Sequence, residues 1–167
     1  MPNSAVHLEK ADTSHVPLIA ELAHKIWHQH YPAIIRLDQI NYMLDMMYSD
    51  TSLKEQMTVK ENDFYLIEQD GKHIGFIAVS KIKEEPNGIF IHKFYLDQTL
   101  AGKGAGTLAH QELVKLLNPS LMRLTVNRQN YKSINFYFKN GFKIENVADF
   151  DIGNGYVMND FVMVWQK

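Results

Sequence analysis

The hydrophobic pattern in the first third of the chain predicts one short strand followed by two helices. Residues 6–11, VHLEKA, form the predicted strand. Apolar residues at helical spacing follow, with Ser14 as the expected N-cap and Pro17 in the first turn. A second helix is predicted over residues 37–49, because Ile40, Met43, Leu44 and Met47 fall on one face.

The middle of the chain predicts three strands and a helix that begins in a glycine-rich loop. Two apolar runs flank Asp70-Gly71, which is a strong hairpin signal because both turn positions need a positive φ. The strand GIFIHKFYL over residues 88–96 leads into the loop, where three glycines occupy alternate positions. The following helix is expected to end at Asn118-Pro119.

The last third predicts a strand, a helix and two closing strands. LMRLTV is the first strand, and Asn130 and Gly141 are placed to begin and end the helix. The closing strands are expected at residues 142–150 and 159–166, joined by a glycine-rich hairpin over residues 151–160. That segment could contact a second copy of the chain or cover a substrate, so a homodimer is an open alternative. The element order predicts an α/β fold, a single domain over residues 1–167. Its mixed, mostly antiparallel sheet would contain a central parallel β-α-β crossover.

Composition narrows the classes of protein that this chain could be. Its 167 residues, of which 46% are hydrophobic and 22% charged, suit one folded domain. The net charge of −2 argues against a nucleic-acid partner. The lack of cysteine excludes disulfides, thiolate zinc sites and a cysteine nucleophile. No signal-like segment and no run of ~18 apolar residues is present, so we expect a cytoplasmic protein without a membrane partner.

The glycine loop fits an anion site better than either common nucleotide motif. Gly104 follows Gly102-Lys103 where a Walker A loop needs Ser or Thr, and the G-x-G-x-G spacing differs from the dinucleotide fingerprint. Backbone N–H groups that converge at a helix N-terminus remain, and these suit a phosphate. The alternative is that the glycines only permit a tight turn between strand and helix.

Two motifs resemble those of the GCN5-related N-acetyltransferase (GNAT) family. HKFYLDQTLAGKGAGTLAHQEL is similar to the family's motif A, whose Gln/Arg-x-x-Gly-x-Gly/Ala pattern maps onto residues 101–106. VNRQNYKSINFYFKNGFKI is similar to its second motif, Asn-x-x-Ala-x-x-Phe-Tyr-x-x-x-Gly-Phe. Two departures occur, since Ala101 stands where the family prefers Gln or Arg and Ser133 replaces the usual Ala. The first implies weaker affinity for coenzyme A, because one side-chain contact near the pyrophosphate is missing.

The resemblance implies an enzyme that moves an acetyl group from acetyl-CoA to an amine by direct transfer, without a metal. It implies that Tyr137 protonates the departing thiolate, although a core tyrosine packed on Phe142 is the alternative. His92 is the implied base that receives the amine's proton, directly or through water, and a structural histidine is equally compatible. The implied coenzyme contacts are Phe94, Tyr95, Leu96, Ala101, Gly102, Lys103, Gly104, Ala105, Gly106, Thr107, Asn130, Ser133 and Tyr137.

The acceptor is expected to be a small amine, with a polyamine as the preferred class. In this fold the first two helices line the acceptor side, and they carry aromatic and acidic residues that suit a cation. The substrate candidates are Trp27, Tyr31, Tyr42 and Asp45. The pattern is loosely similar to that of bacterial polyamine acetyltransferases. The alternatives are a protein or peptide N-acetyltransferase and a non-catalytic acyl-CoA-binding module. A metal on His24 and His28 is not expected, because Lys25 replaces the glutamate that a zincin motif needs.

Overall fold

The computed structural model describes residues 4–167, and this part of the chain contains seven strands and five α-helices. The elements are β1 (Val6–Lys10), α1 (Val16–His30), α2 (Leu37–Tyr48), α3 (Asp50–Thr58), β2 (Asp63–Gln69), β3 (Lys72–Lys81), β4 (Gly88–Leu96), α4 (Ala105–Leu117), β5 (Leu121–Asn127), α5 (Tyr131–Lys139), β6 (Lys143–Gly153) and β7 (Tyr156–Gln166). The chain divides into two compact units. The first contains residues up to 80 and 93–117, and the second contains residues 81–92 and 118–167.

The first unit pairs its strands in the order β1-β2-β3-β4, with α1, α2, α3 and α4 in the same unit. β1 and β2 pair antiparallel, as do β2 and β3. The predicted hairpin turn is confirmed, since Asp70 and Gly71 have φ of +53° and +74°. Leu66, Ile74 and Phe76 are fully buried in this sheet. Burial of such side chains is the main stabilising contribution in a unit of this kind.

Gly75 of β3 allows a close backbone approach to the end of β4. A Cβ atom built on Gly75 would collide with the carbonyl oxygen of Tyr95 and lie 3.0 Å from the Cα of Leu96. Both contacts are backbone, so neither could move aside as a flexible side chain would. Glycine is therefore needed here to let β3 run against the segment that was predicted to hold the coenzyme.

The second unit pairs its strands in the order β4-β5-β7-β6. β4 and β5 are parallel, with a register from Gly88↔Leu121 to Ile91↔Leu124. β7 is antiparallel to both β5 and β6. Together with the first unit, these pairings confirm the predicted α/β fold, a mostly antiparallel sheet with one parallel β-α-β connection. In residues 4–167, no helix has the length and hydrophobicity that crossing a membrane requires.

Two local predictions were wrong. A third helix, α3, follows α2 and was not predicted, because its sequence is mostly polar. Ser49 caps this helix by accepting the N–H of Ser52. Ser14 does not cap α1, because Asp12 accepts the N–H of Ser14 and caps a short 3₁₀ turn before Val16. The predicted glycine-rich hairpin over residues 151–160 is confirmed, since β6 and β7 pair through this segment and turn at Asn154-Gly155.

Lys93 of β4 is a buried cation in the first unit. It is 8% exposed, and its Nζ lies 5.4 Å from the ring centre of Tyr48 and 5.7 Å from that of Phe64. Burial, with a smaller contribution from the charge of Lys60, lowers the pKa of Lys93 from 10.5 to about 8. The attraction to the two rings, about 2 kcal/mol or more for a desolvated cation, offsets only part of the lost hydration, since the pKa of Lys93 is still lowered.

Replacing Lys93 by Met should therefore stabilise the protein by about 1–3 kcal/mol at neutral pH. Between about pH 8 and pH 10.5 the unfolded chain holds a proton on Lys93 that the folded chain has lost. Raising the pH through this window stabilises the wild type, so the advantage of Lys93→Met should shrink. Urea unfolding from pH 7 to pH 10.5 measures it, with exposed Lys72→Met as the control. If Lys93→Met were no more stable than the wild type at pH 7, or if the difference in stability stayed constant from pH 7 to pH 10.5, this account would be contradicted.

Candidate active site

The loop that leaves β4 is anchored by the buried carboxylate of Asp97. Its side chain is fully buried, and the Nζ of Lys25 on α1 lies 2.7 Å from its Oδ2. Its Oδ1 accepts hydrogen bonds from the backbone N–H and the hydroxyl of Thr99, at 2.9 and 2.7 Å, and from Gln29 at 3.4 Å. Burial raises the pKa of Asp97, but the hydrogen bonds from Lys25, Thr99 and Gln29 outweigh it and lower that pKa to about 2.

The next turn of the loop is held by the backbone carbonyl of Asp97 and by the side chain of Gln69, which is distant in sequence. The carbonyl of Asp97 accepts the N–H groups of Leu100 and Ala101, at 3.1 and 2.8 Å. Gln69, at the end of β2, accepts the N–H of Gly102 on its Oε1 at 2.7 Å and donates from its Nε2 to the carbonyl of Ser4 at 3.0 Å. The N–H of Gly102 is therefore already occupied by a protein acceptor.

The loop turns into α4 at Gly104, whose φ of +79° lies in the region that favours glycine. Ala105 donates its N–H to the carbonyl of Gly102, and Leu108 donates to that of Gly104, both at 3.1 Å. The hydrogen bond from Leu108 to Gly104 is thus the first regular i→i−4 bond of α4.

Unpaired backbone N–H groups remain at this end of α4. Within residues 4–167, the N–H groups of Gly104, Gly106 and Thr107 have no protein acceptor. They lie at the positive end of the helix dipole, where unpaired N–H groups bind anions. These backbone N–H groups can hold a phosphate without a side-chain cation.

The aromatic residues that were predicted for the acceptor form a cluster in the first unit. The ring of Trp27 lies 4.4 Å from that of Tyr31 and 5.7 Å from that of Tyr95, and the hydroxyls of Tyr31 and Tyr95 lie 3.0 Å apart. Trp27 is 2% exposed and Tyr31 is 7% exposed, so most of their surface packs the core. Tyr42 is half-buried and Asp45 is exposed on α2.

The second sequence motif folds as α5 in the second unit. Asn130 is the N-cap, as predicted, and its Oδ1 accepts the N–H of Ser133 at 3.2 Å. Tyr137 is buried, its ring lies 5.3 Å from that of Phe142, and its carbonyl accepts the N–H of Phe142 at 2.9 Å. Gly141 ends the helix with φ of +92°. Packing on Phe142 is compatible with both roles that were considered for Tyr137, proton donor to the thiolate and core packing residue.

His92 and the other residues that were predicted to contact the coenzyme differ in their exposure. His92 is exposed on β4, with its ring 4.8 Å from that of Phe90 in the second unit. Phe94 and Leu96 are half-buried. In the loop, Ala101 is half-buried, while Lys103 is exposed.

Sequence reasoning missed two residues that shape the loop, Asp97 and Gln69. Asp97 carries a readable signal, because an aspartate two residues before a threonine after a strand is typical of a side-chain-capped turn. Gln69 carries none. It meets Gly102 across 33 residues of sequence, and only the folded sheet brings the two together.

Comparison with known proteins identifies the class to which this fold and anion loop belong. The model of the Acetyltransferase (GNAT) family matches residues 22–142, which include parts of both units and most of the chain. The protein is an acetyl-CoA-dependent acyltransferase, and it belongs to the GNAT family.

Individual relatives agree with this assignment. An uncharacterized N-acetyltransferase of Mycobacterium tuberculosis is 28% identical over 136 residues, covering 80% of this chain and 85% of the relative. The spermidine N(1)-acetyltransferase of Thermoplasma acidophilum is 25% identical over 154 residues, covering 88% and 94%. The crystal structure of the PaiA N-acetyltransferase from T. acidophilum, a complex with coenzyme A, has a TM-score of 0.76 at 25% identity, covering 98% of this chain and 99% of that one.

Replacing Gly106 by Val tests whether the start of α4 binds an anion, and it does not strain the backbone. Gly106 lies inside α4, where valine is at least as favourable as glycine, so the variant should keep its stability. The added side chain should crowd a phosphate at the free N–H groups and weaken coenzyme A binding by tenfold or more, about 1.4 kcal/mol. Calorimetric titration measures the affinity, and Gln111→Val on the exposed side of α4 is the control. Equal affinity in a folded Gly106→Val variant would contradict the assignment.

Proposed function

We propose that this protein transfers an acetyl group from acetyl-CoA directly to the primary amine of a small molecule, and that a polyamine is the preferred acceptor. We also propose that residues 1–167 act as one N-acetyltransferase domain. The observation that carries the proposal is the set of free N–H groups at the start of α4, on Gly104, Gly106 and Thr107. They suit the pyrophosphate of the coenzyme.

The pantetheine arm is proposed to run beside β4. The backbone of Phe94, Tyr95 and Leu96 would pair with its two amides, as an added strand pairs with a sheet edge. The coenzyme A complex of the similar PaiA enzyme supports a coenzyme at this type of fold. The other loop residues from Ala101 to Thr107 would contribute backbone contacts, with Gly102 contributing least because Gln69 holds its N–H.

The chemistry needs a proton for the departing thiolate and an acceptor for the proton of the ammonium. Tyr137 is proposed to supply the first, on the strength of its position in the second motif. For the second, the sequence offers His92 or a water molecule. His92 is exposed, so solvent can carry its proton away.

The polyamine proposal is supported by one relative. The spermidine N(1)-acetyltransferase of T. acidophilum aligns over 88% of this chain. The half-buried Tyr42 and the exposed Asp45 are proposed to contact the far cationic end of such an acceptor, with Trp27 and Tyr31 behind them. A peptide N-terminus is the alternative acceptor.

Replacing Tyr137 by Phe should separate proton donation from packing. The ring stays, so coenzyme affinity should be nearly unchanged, while kcat should fall by ~10²-fold or more. Tyr131→Phe is the matched control, because Tyr131 is 70% exposed on the same helix. Steady-state kinetics measures both variants. If kcat is unchanged in Tyr137→Phe, the tyrosine is a packing residue and water protonates the thiolate.

Thiol release with a panel of acceptors tests the function itself. We expect spermidine to exceed free amino acids and a short peptide in kcat/KM, since only the polyamine carries several cations and no carboxylate. If the peptide or a neutral amino acid were better than spermidine by tenfold, about 1.4 kcal/mol, the proposed cationic acceptor would be wrong. If the protein released no thiol with any amine, the proposed transfer would be wrong as a whole.

A further inference from the structure

A β-bulge in the first unit places a histidine beside a glutamate on one face of the sheet. β2 and β3 pair Ile67 with Gly75 and Glu68 with His73, so the register shifts by one residue between these two pairs. Without the shift, the buried Ile74 would lie opposite Glu68. Bulges of this kind re-aim a side chain, and the side chain that gains the position here is an imidazole.

A second glutamate, from β1, meets this pair. Glu68 lies opposite His7 of β1, and side chains two residues apart in a strand project to the same face, so Glu9 shares that face. The Oε2 of Glu9 lies 3.2 Å from the Nε2 of His73. One side-chain atom from each of Glu9, Glu68 and His73 lies within 4.8 Å of the other two. Three strands thus bring two carboxylates and one imidazole to a single point.

No lysine or arginine compensates the two carboxylates. Within residues 4–167, Glu9 forms ion pairs with His15 and His73 only, and the side chain of Glu68 forms neither an ion pair nor a hydrogen bond. Like charges on neighbouring strands repel one another and destabilise the sheet. A divalent cation between the two carboxylates would remove this repulsion.

His15 supports Glu9 from a second direction. Its Nε2 lies 3.9 Å from the Oε1 of Glu9, and its Nδ1 accepts the N–H of Asp12 at 3.0 Å. Because Nδ1 is an acceptor, the imidazole proton of His15 is on Nε2, which faces Glu9 as a donor and is not a metal ligand. An outer donor of this kind orients a carboxylate that binds a metal.

The donor set favours zinc among the divalent metal ions. Zinc binds imidazole nitrogen and carboxylate oxygen at ~2.0–2.2 Å, so its tetrahedral ligand atoms lie roughly 3.4 Å apart. The 3.2 Å between Glu9 and His73 is close to this spacing, and rotation of the half-buried Glu68 side chain can close the longer separations. Magnesium prefers a shell of oxygen ligands, which an imidazole does not provide.

We infer that Glu9, Glu68 and His73 bind a divalent metal ion, with zinc as the expected ion, and that this ion joins β1, β2 and β3. Zinc would replace any proton on the Nε2 of His73, since that nitrogen must be unprotonated to bind it. The exposed His7, opposite Glu68, is placed to complete a tetrahedral set. The site takes no part in the proposed acetyl transfer, which needs no metal.

Calorimetric titration of the full chain with zinc chloride, after treatment with a chelator, tests the site. The wild type should bind zinc at neutral pH, and its Tm should rise by about 5 °C when free zinc is about 100-fold above its Kd. Glu68→Gln and His73→Gln should each weaken zinc binding by tenfold or more, because each removes one ligand. Magnesium should bind the wild type at least tenfold more weakly than zinc.

Two control variants exclude other zinc-binding groups. His28→Gln disrupts the stacked pair of His24 and His28 on α1, and Glu55→Gln removes an exposed carboxylate of α3. Both variants should keep the wild-type zinc affinity. Full zinc affinity in either Glu68→Gln or His73→Gln, loss of zinc binding in His28→Gln, or equal affinity for magnesium and zinc would overturn the inference. A wild type that binds no zinc would also overturn it. None of these measurements involves acetyl transfer, so a failure here is separate from a failure of the proposed function.

Discussion

The candidate active site depends on the buried carboxylate of Asp97. This group joins the end of β4 to α1 through Lys25 and Gln29, and it caps the first turn of the loop through Thr99. Burial disfavours its charge, and the hydrogen bonds from the three donors outweigh that effect and hold the pKa of Asp97 at about 2. Removing them would leave an uncompensated charge in the core, and the loop would lose the geometry that aims its N–H groups.

A second constraint divides the glycines of the loop between two tasks. Gln69 occupies the N–H of Gly102, which fixes the first part of the loop to β2. Gly104 then adopts a positive φ that turns the chain into α4. From Gly104 onward, the N–H groups of Gly104, Gly106 and Thr107 remain for a ligand. The first part of the loop is thus fixed to the protein, and the part from Gly104 onward is the proposed anion site. Because Ala101 offers no polar side chain, the backbone is the proposed principal contact to the phosphate.

Much of the fold was predictable because it follows from local pattern. The Asp70-Gly71 hairpin, the Asn130 cap and the Gly141 stop each depend on the preferences of one or two residues. α3 escaped detection because its nine residues are mostly polar and only Leu53 and Gln56 are buried. The contact that fixes the loop, Gln69 with Gly102, joins residues 33 positions apart. No local pattern encodes such pairs, since tertiary packing creates them.

The start of α4 is proposed to bind the pyrophosphate of the coenzyme through backbone N–H groups. Titration of ¹⁵N-labelled protein with coenzyme A, followed by amide NMR, observes those groups one by one. The amides of Gly104, Gly106 and Thr107 should shift strongly as they acquire an anionic acceptor, and inorganic pyrophosphate should shift the same three. The amide of Gly102 should move least, because Gln69 already holds it. A large shift at Gly102, with the other three unchanged, would contradict the account.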